Sequence, residues 1–133
     1  MADEGASVLL VEDDEDFRRI LARHLRTRGF DVREASTCEA AVATLNAGLR
    51  PGIVLLDVNL PGDTGWDLLR GPALAAAGSP PVVIASAISV SPRRLEEFGV
   101  AGYLPKPFPL ETLIATIERL ASKTSASPPR GDG

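Results

Sequence analysis

Glu12-Asp13-Asp14, Asp57, Ser86 and Lys106 each stand at or just beyond the end of a short apolar run in this 133-residue chain. In an open parallel α/β sheet, ligands bind beyond the carboxyl ends of the strands. If the apolar runs are such strands, three carboxylates (Glu12, Asp13 and Asp57), a hydroxyl and an ammonium converge on one small patch. Clustered carboxylates repel one another and raise their own pKa values unless a cation lies among them. A hard divalent ion removes that conflict, and a few carboxylates plus water suit Mg2+. Lys106 would pair with the cluster at rest and be free to hold an incoming anion. The Ser86 hydroxyl can donate one hydrogen bond to that anion. Together these groups can form an aspartyl phosphate, with Asp57 attacking in line while the metal and Lys106 neutralise the equatorial oxygens.

The elements that must position them follow a repeated pattern of apolar run, turn and amphipathic stretch. Ser7–Val11 is a continuous apolar run, as a strand buried on both faces should be. Phe17, Ile20, Leu21 and Leu25 come at helical spacing, and Gly29 stops that helix. Residues 30–35 alternate and read as a strand nearer an edge. Ser36 with Glu39 fits a capping box, opening a helix that buries Cys38, Ala41, Val42 and Leu45 and ends near Gly48. Residues 53–57 are the third strand, and residues 59–65 are dense in turn formers. A helix starting near Gly65 carries Trp66, Leu68 and Leu69. Gly71-Pro72 interrupts it, because proline in a helix interior costs about 3 kcal/mol. A kink or two short pieces are expected there. Residues 81–85 form the fourth strand. Ser91 as N-cap and Pro92 behind it open a short fourth helix through Phe98, closed by Gly99. Residues 102–104 are the fifth strand. Leu110, Leu113, Ile114, Ile117, Leu120 and Ala121 give the last helix an apolar face.

Five β-α units with buried strands predict an α/β domain, a doubly wound five-stranded parallel sheet with helices on both faces. The expected divisions are an N-terminal extension at 1–6, one domain at 7–121, and a Ser- and Pro-rich tail at 122–133. That tail reads as disordered or as the stub of a linker. The length fits one domain. With 44 % hydrophobic and 24 % charged residues, the composition is that of an ordinary globular protein. One Cys excludes an internal disulfide framework, and no Cys/His cluster could hold zinc. The apolar runs fall far short of the ~18 residues of a membrane span. The start, MADEGAS, is acidic and lacks the apolar region of a signal peptide. These features point to the cytoplasm and away from a membrane. A net charge of −4 argues against nucleic acid as a partner.

Four segments in order resemble the receiver domain of a two-component response regulator of the single-domain type. They are Leu9-Leu-Val-Glu-Asp-Asp-Glu-Asp16, Leu55-Leu-Asp-Val-Asn-Leu-Pro-Gly-Asp-Thr-Gly65, Ile84-Ala-Ser-Ala87 and Gly102-Tyr-Leu-Pro-Lys-Pro-Phe108, within residues 6–121. The resemblance implies a flavodoxin-like strand order of 2-1-3-4-5, the order known for a chemotaxis receiver. It implies that Asp57 accepts the phosphoryl group, that Asp13 binds Mg2+ directly and that Glu12 holds it through water. Asn59 would offer its backbone carbonyl to the metal. Ser86 would hydrogen-bond the phosphoryl group and Lys106 would pair with it. Tyr103 would swing inward as Ser86 moves, and Lys106-Pro107 would be a cis peptide, uncommon even before proline. The implied partners are a sensor histidine kinase or a histidine phosphotransfer protein, and a downstream protein effector or output domain. The effector, or a second copy in a homodimer, would read the surface of the fourth helix, fifth strand and fifth helix. Of the chain itself about a dozen residues remain, so output is expected to come through a partner.

The chain departs from the family pattern in four places. Glu12 stands where Asp is commoner, and Ser86 where Thr is frequent. The stretch from Ser86 to Lys106 is short, and Gly71-Pro72 in the third helix is unusual. Several residues read as structural: Asp14, Glu15 and Asp16 as helix N-terminal charges, Cys38 as core, Trp66 as helix-start packing, and His24 with the Arg18–Arg28 run as a solvated face. A phosphorylation-independent interaction module on the same fold is the alternative, although the acid pair, Asp57 and Lys106 are all retained. An aspartyl phosphatase fits less well, because Asn59 stands where a second Asp is needed. A dinucleotide oxidoreductase lacks its glycine fingerprint after the first strand.

Overall fold

The structure, a computed structural model, describes residues 7–60 and 64–125. The expected N-terminal extension, three residues of the turn after Asn59, and the end of the expected tail lie outside the described residues.

Five strands, β1 (Ser7–Val11), β2 (Asp31–Ala35), β3 (Ile53–Leu56), β4 (Val82–Ser86) and β5 (Gly102–Pro105), form one sheet in the order β2-β1-β3-β4-β5. Every pairing is parallel. The three inner strands carry almost nothing but Val, Leu, Ile and Ala, because helices cover both of their faces. Alternate side chains then feed two separate cores. Val8, Leu10, Ile53, Leu55, Val83 and Ala85 pack on one face, with Leu21, Leu25, Leu113 and Ile117 above them. Those four come from α1 (Glu15–Thr27) and α6 (Leu110–Ser125). Leu9, Val11, Val54, Leu56, Val82 and Ile84 pack on the other face. They meet Ala41 and Leu45 of α2 (Cys38–Asn46), Leu68 of α3 (Gly65–Arg70) and Leu74 of α4 (Pro72–Ala76). Edge strand β2 leaves Asp31, Arg33 and Glu34 exposed and buries Val32 and Ala35, so the expected alternation holds through Arg33 and breaks at Glu34, which pairs with Arg18 and Arg26.

The helix boundaries follow local chemistry. Asp14 caps α1 by accepting a hydrogen bond from the Phe17 amide at 3.0 Å, and Gly29 beyond its end takes a left-handed φ of 95°. The capping box expected from Ser36 and Glu39 does not form. Thr37 is the N-cap of α2, its hydroxyl accepting from the Ala40 amide at 3.0 Å. Both hydroxyls stand before the helix, and β2 running through Ala35 leaves Thr37 one residue ahead of the first turn. At Gly71-Pro72 the helix divides into two pieces, α3 and α4, with Pro72 opening the second. α5 (Pro92–Phe98), the fourth helix of the sequence reading, starts at the Ser91 cap and closes at Gly99. It has no fully buried residue. α6 continues to Ser125, past the domain boundary expected at 121. Among the described residues no helix is long and apolar enough to cross a membrane.

Candidate functional site

The sheet register builds the site. Val11 is paired with Leu56, so the next residues, Glu12 and Asp57, leave the sheet side by side. The Asp57 amide donates to the Val11 carbonyl at 3.0 Å, which ties the two strand ends together. On the far side Ser86 is paired with Pro105, and the Lys106 amide donates to the Ser86 carbonyl at 2.8 Å. That contact aims Lys106 back over the sheet's carboxyl edge.

Carboxylate oxygens of Glu12, Asp13 and Asp57 lie within 4.8 Å of one another. Glu12 and Asp57 are buried and Asp13 is exposed, so the cluster opens to solvent on the Asp13 side. The Lys106 ammonium donates to Glu12 Oε1 at 2.7 Å and to Asp57 Oδ2 at 3.0 Å. It also stands over the Phe17 ring, 4.9 Å from its centre, in a cation–π contact. Asp57 Oδ1 accepts from the Asn59 amide at 2.9 Å, and Glu12 Oε2 accepts from the Asp14 amide at 3.0 Å. Burial raises the Glu12 pKa above its ordinary value of 4.5. The hydrogen bond from Lys106 opposes that rise, and the charge of Asp57 adds to it. Burial alone would lower the pKa of Lys106. The bonds to Glu12 and Asp57 outweigh burial and raise it above 10.5.

Not every expected residue meets the carboxylates. The Ser86 hydroxyl, fully buried, accepts from the Ile88 amide at 3.1 Å. The Tyr103 hydroxyl donates to the Ile88 carbonyl at 3.5 Å. The two therefore share one backbone residue at the rim of the site. The Lys106-Pro107 peptide is cis. Trp66 packs at the start of α3, its ring 5.1 Å from that of Phe98 and 4.6 Å from the Arg94 guanidinium carbon. His24 is exposed and Cys38 lies in the core.

Arg18 departs from the solvated face assigned to the basic run. Its Nη1 donates to the Glu12 carbonyl at 2.9 Å and its Nε to Glu34 at 3.1 Å. The turn carrying Glu12 and Asp13 is thereby tied to α1 and β2. Phe17, read only as part of an apolar stripe, also belongs to the site. Its position one turn into the helix after the acidic run is the only signal the sequence carried.

The donor set fits a hard divalent cation. It consists of carboxylate oxygens, and two of the three acids are already held by hydrogen bonds from the chain. An acidic pocket of this donor set, with a lysine beside it, thus lies at the carboxyl edge of a parallel α/β sheet.

The model of the response regulator receiver domain matches residues 8–118, and the chain belongs to that family. It is 36 % identical over 119 residues to the response regulator MprA of Mycobacterium sp. (strain KMS), a match covering 89 % of this chain and 51 % of that protein. Protein PetR of Rhodobacter capsulatus is 35 % identical over 127 residues, covering 91 % of this chain and 52 % of its own length. The chain thus spans about half the length of these relatives. Among solved structures, the non-phosphorylated HemR receiver domain of Leptospira biflexa superposes with a TM-score of 0.78 at 29 % identity, covering 96 % of this chain and 99 % of that one. A CheY-like receiver domain of Methanospirillum hungatei reaches a TM-score of 0.82 at 20 % identity, over 92 % and 98 % of the two chains, and shows the shared fold. The chain is a signalling module of two-component systems, and the 2-1-3-4-5 order matches that fold.

Proposed function

We propose that the chain is a phosphorylation-controlled switch that takes a phosphoryl group on Asp57. The observation that carries this reading is the bridge from Lys106 to both Glu12 and Asp57 at 2.7 and 3.0 Å. A cation poised on the nucleophile can follow the negative charge when it moves onto a phosphoryl group. In this reading Glu12, Asp13, Asp57 and the Asn59 carbonyl hold Mg2+. When bound, it neutralises charge on the transferring group. The donor is the phosphohistidine of a sensor histidine kinase or of a histidine phosphotransfer protein. Asp57 attacks phosphorus in line, forming the O–P bond as the donor's N–P bond breaks. Lys106 leaves Glu12 and pairs with a phosphoryl oxygen. Ser86 turns its hydroxyl from the Ile88 amide to another of those oxygens, which frees Ile88 and with it Tyr103.

Output is a population shift of the α5–β5–α6 surface, which a protein effector, an output domain or a second copy of the chain reads. The chain's own chemistry is limited to taking up and losing the phosphoryl group. We place this switch in the cytoplasm, where its kinase would meet it. Residues 7–121 form the working domain in this reading. Beryllofluoride with Mg2+ tests it, because that ion occupies the place of a phosphoryl group on a carboxylate. One equivalent should bind and be lost in Asp57→Ala. If a protein partner binds wild type and Asp57→Ala equally, and beryllofluoride binds neither, the chain is a phosphorylation-independent interaction module.

A further inference from the structure

Gly65, the first residue of α3, has no room for a side chain. A Cβ placed there would stand 2.6 Å from the Val58 Cα, 3.0 Å from the Asp57 carbonyl oxygen and 3.1 Å from Leu56 Cγ. Two of those three atoms are backbone, and the backbone is that of Asp57 and the residue after it. The Gly65 amide donates to the Val58 carbonyl at 3.2 Å, closing the turn between β3 and α3 from behind. A capping interaction fixes the next corner, with the Thr64 amide donating to Asp67 Oδ2 at 2.9 Å. Gly65 is therefore required for space and not for an unusual φ. Gly71, in contrast, has its nearest neighbour, the Asp67 carbonyl, at 3.3 Å, and no site residue near it.

We propose that Gly65 is a positioning residue for the metal and phosphoryl site. By letting α3 seat directly on the Asp57-Val58 backbone, it holds Asp57 and Asn59 where they can act together on one cation. Asn59 is two residues past the nucleophile and already bonded to it through its amide. Any methyl at position 65 must push α3 away or move the Asp57-Val58 peptide. Either shift displaces the Asn59 carbonyl from the Asp57 carboxylate. Residues that hold metal ligands in place typically matter by about 10–100-fold in affinity when lost. The inference rests on the Mg2+ site of the proposed function.

The test is Mg2+ affinity by isothermal titration calorimetry, alongside urea unfolding, for wild type, Gly65→Ala and Leu45→Ala. Leu45 is a core residue of α2 remote from the carboxylates, and serves as a control for plain destabilisation. Gly65→Ala should bind Mg2+ at least roughly tenfold more weakly. Leu45→Ala should lose stability and keep wild-type affinity. Wild-type affinity in Gly65→Ala overturns the proposal, as does an equal loss in Leu45→Ala. If Gly65→Ala does not fold, Asp67→Ala, which frees the Thr64 amide at an exposed position, should bind Mg2+ several-fold more weakly. Unchanged affinity there overturns the proposal. If wild type itself binds no Mg2+, the proposed function falls and this inference with it. Binding by wild type that Gly65→Ala retains removes the inference alone.

Discussion

Lys106 bridges Glu12 and Asp57, its ammonium 3.0 Å from the Asp57 carboxylate and 2.7 Å from that of Glu12. One cation thus offsets part of the repulsion between two buried acids. It also occupies part of the space in which a divalent ion would bind the same oxygens. If the site takes Mg2+ as proposed, an internal cation and an external one compete for the same oxygens.

Replacing Lys106 by Met should therefore separate stability from metal binding. Without Mg2+ the variant leaves two buried carboxylates without their cation, which costs about 3–5 kcal/mol. Because no ammonium repels the incoming ion, Mg2+ should bind the variant more tightly than wild type. Urea unfolding at increasing Mg2+ measures both effects. A variant as stable as wild type without metal, or one that binds Mg2+ less tightly, contradicts this account of the bridge.

The raised pKa of Glu12 gives a pH signature. Its folded-state pKa lies above the ordinary 4.5, so the folded state holds a proton there that the unfolded state has released. Glu12's contribution to stability is thus present in full below 4.5 and is lost as pH rises through the folded value. The difference in unfolding free energy between wild type and Glu12→Gln, measured without metal, should become less favourable to wild type over that interval. A difference that is flat with pH, or of opposite slope, contradicts the burial argument.

Arg94 should hold α5 to α3. Its guanidinium carbon lies 4.6 Å from the Trp66 ring centre and 5.6 Å from that of Phe98, and α5 has no fully buried side chain of its own. Arg94→Ala should cost about 1 kcal/mol, the scale of a partly desolvated cation–π contact. Trp66 is the chain's one tryptophan, so its emission should shift to longer wavelength as water reaches the ring. Unchanged emission and stability would show that α5 is held by other contacts.

Much of this site was legible because periodicity reports burial. The apolar runs ending at Val11, Leu56 and Ala85 could only be inner strands, and residues following inner parallel strands share one edge. Strand order is different in kind. Nothing in the period of β2 or β5 says which neighbour each takes, and the order came from resemblance. Arg18 reads as solvated because it is a basic residue on an amphipathic helix, and its target is a backbone carbonyl that no side-chain pattern reveals. Thr37 and Ser36 are both able to cap, and the length of β2 decides between them. The Trp66–Arg94–Phe98 stack joins separate helices, which only tertiary structure brings together.

The central claim is that Asp57 is the phosphoryl acceptor. The most direct measurement is the intact mass of the protein after incubation with acetyl phosphate and Mg2+, with the modified residue located by tandem mass spectrometry. Wild type should gain the mass of one phosphoryl group on Asp57, lose it in acid, and gain nothing when Mg2+ is chelated. Asp57→Asn should remain unmodified. A phosphoryl group that persists in Asp57→Asn, or a wild type that is never labelled, would contradict the account.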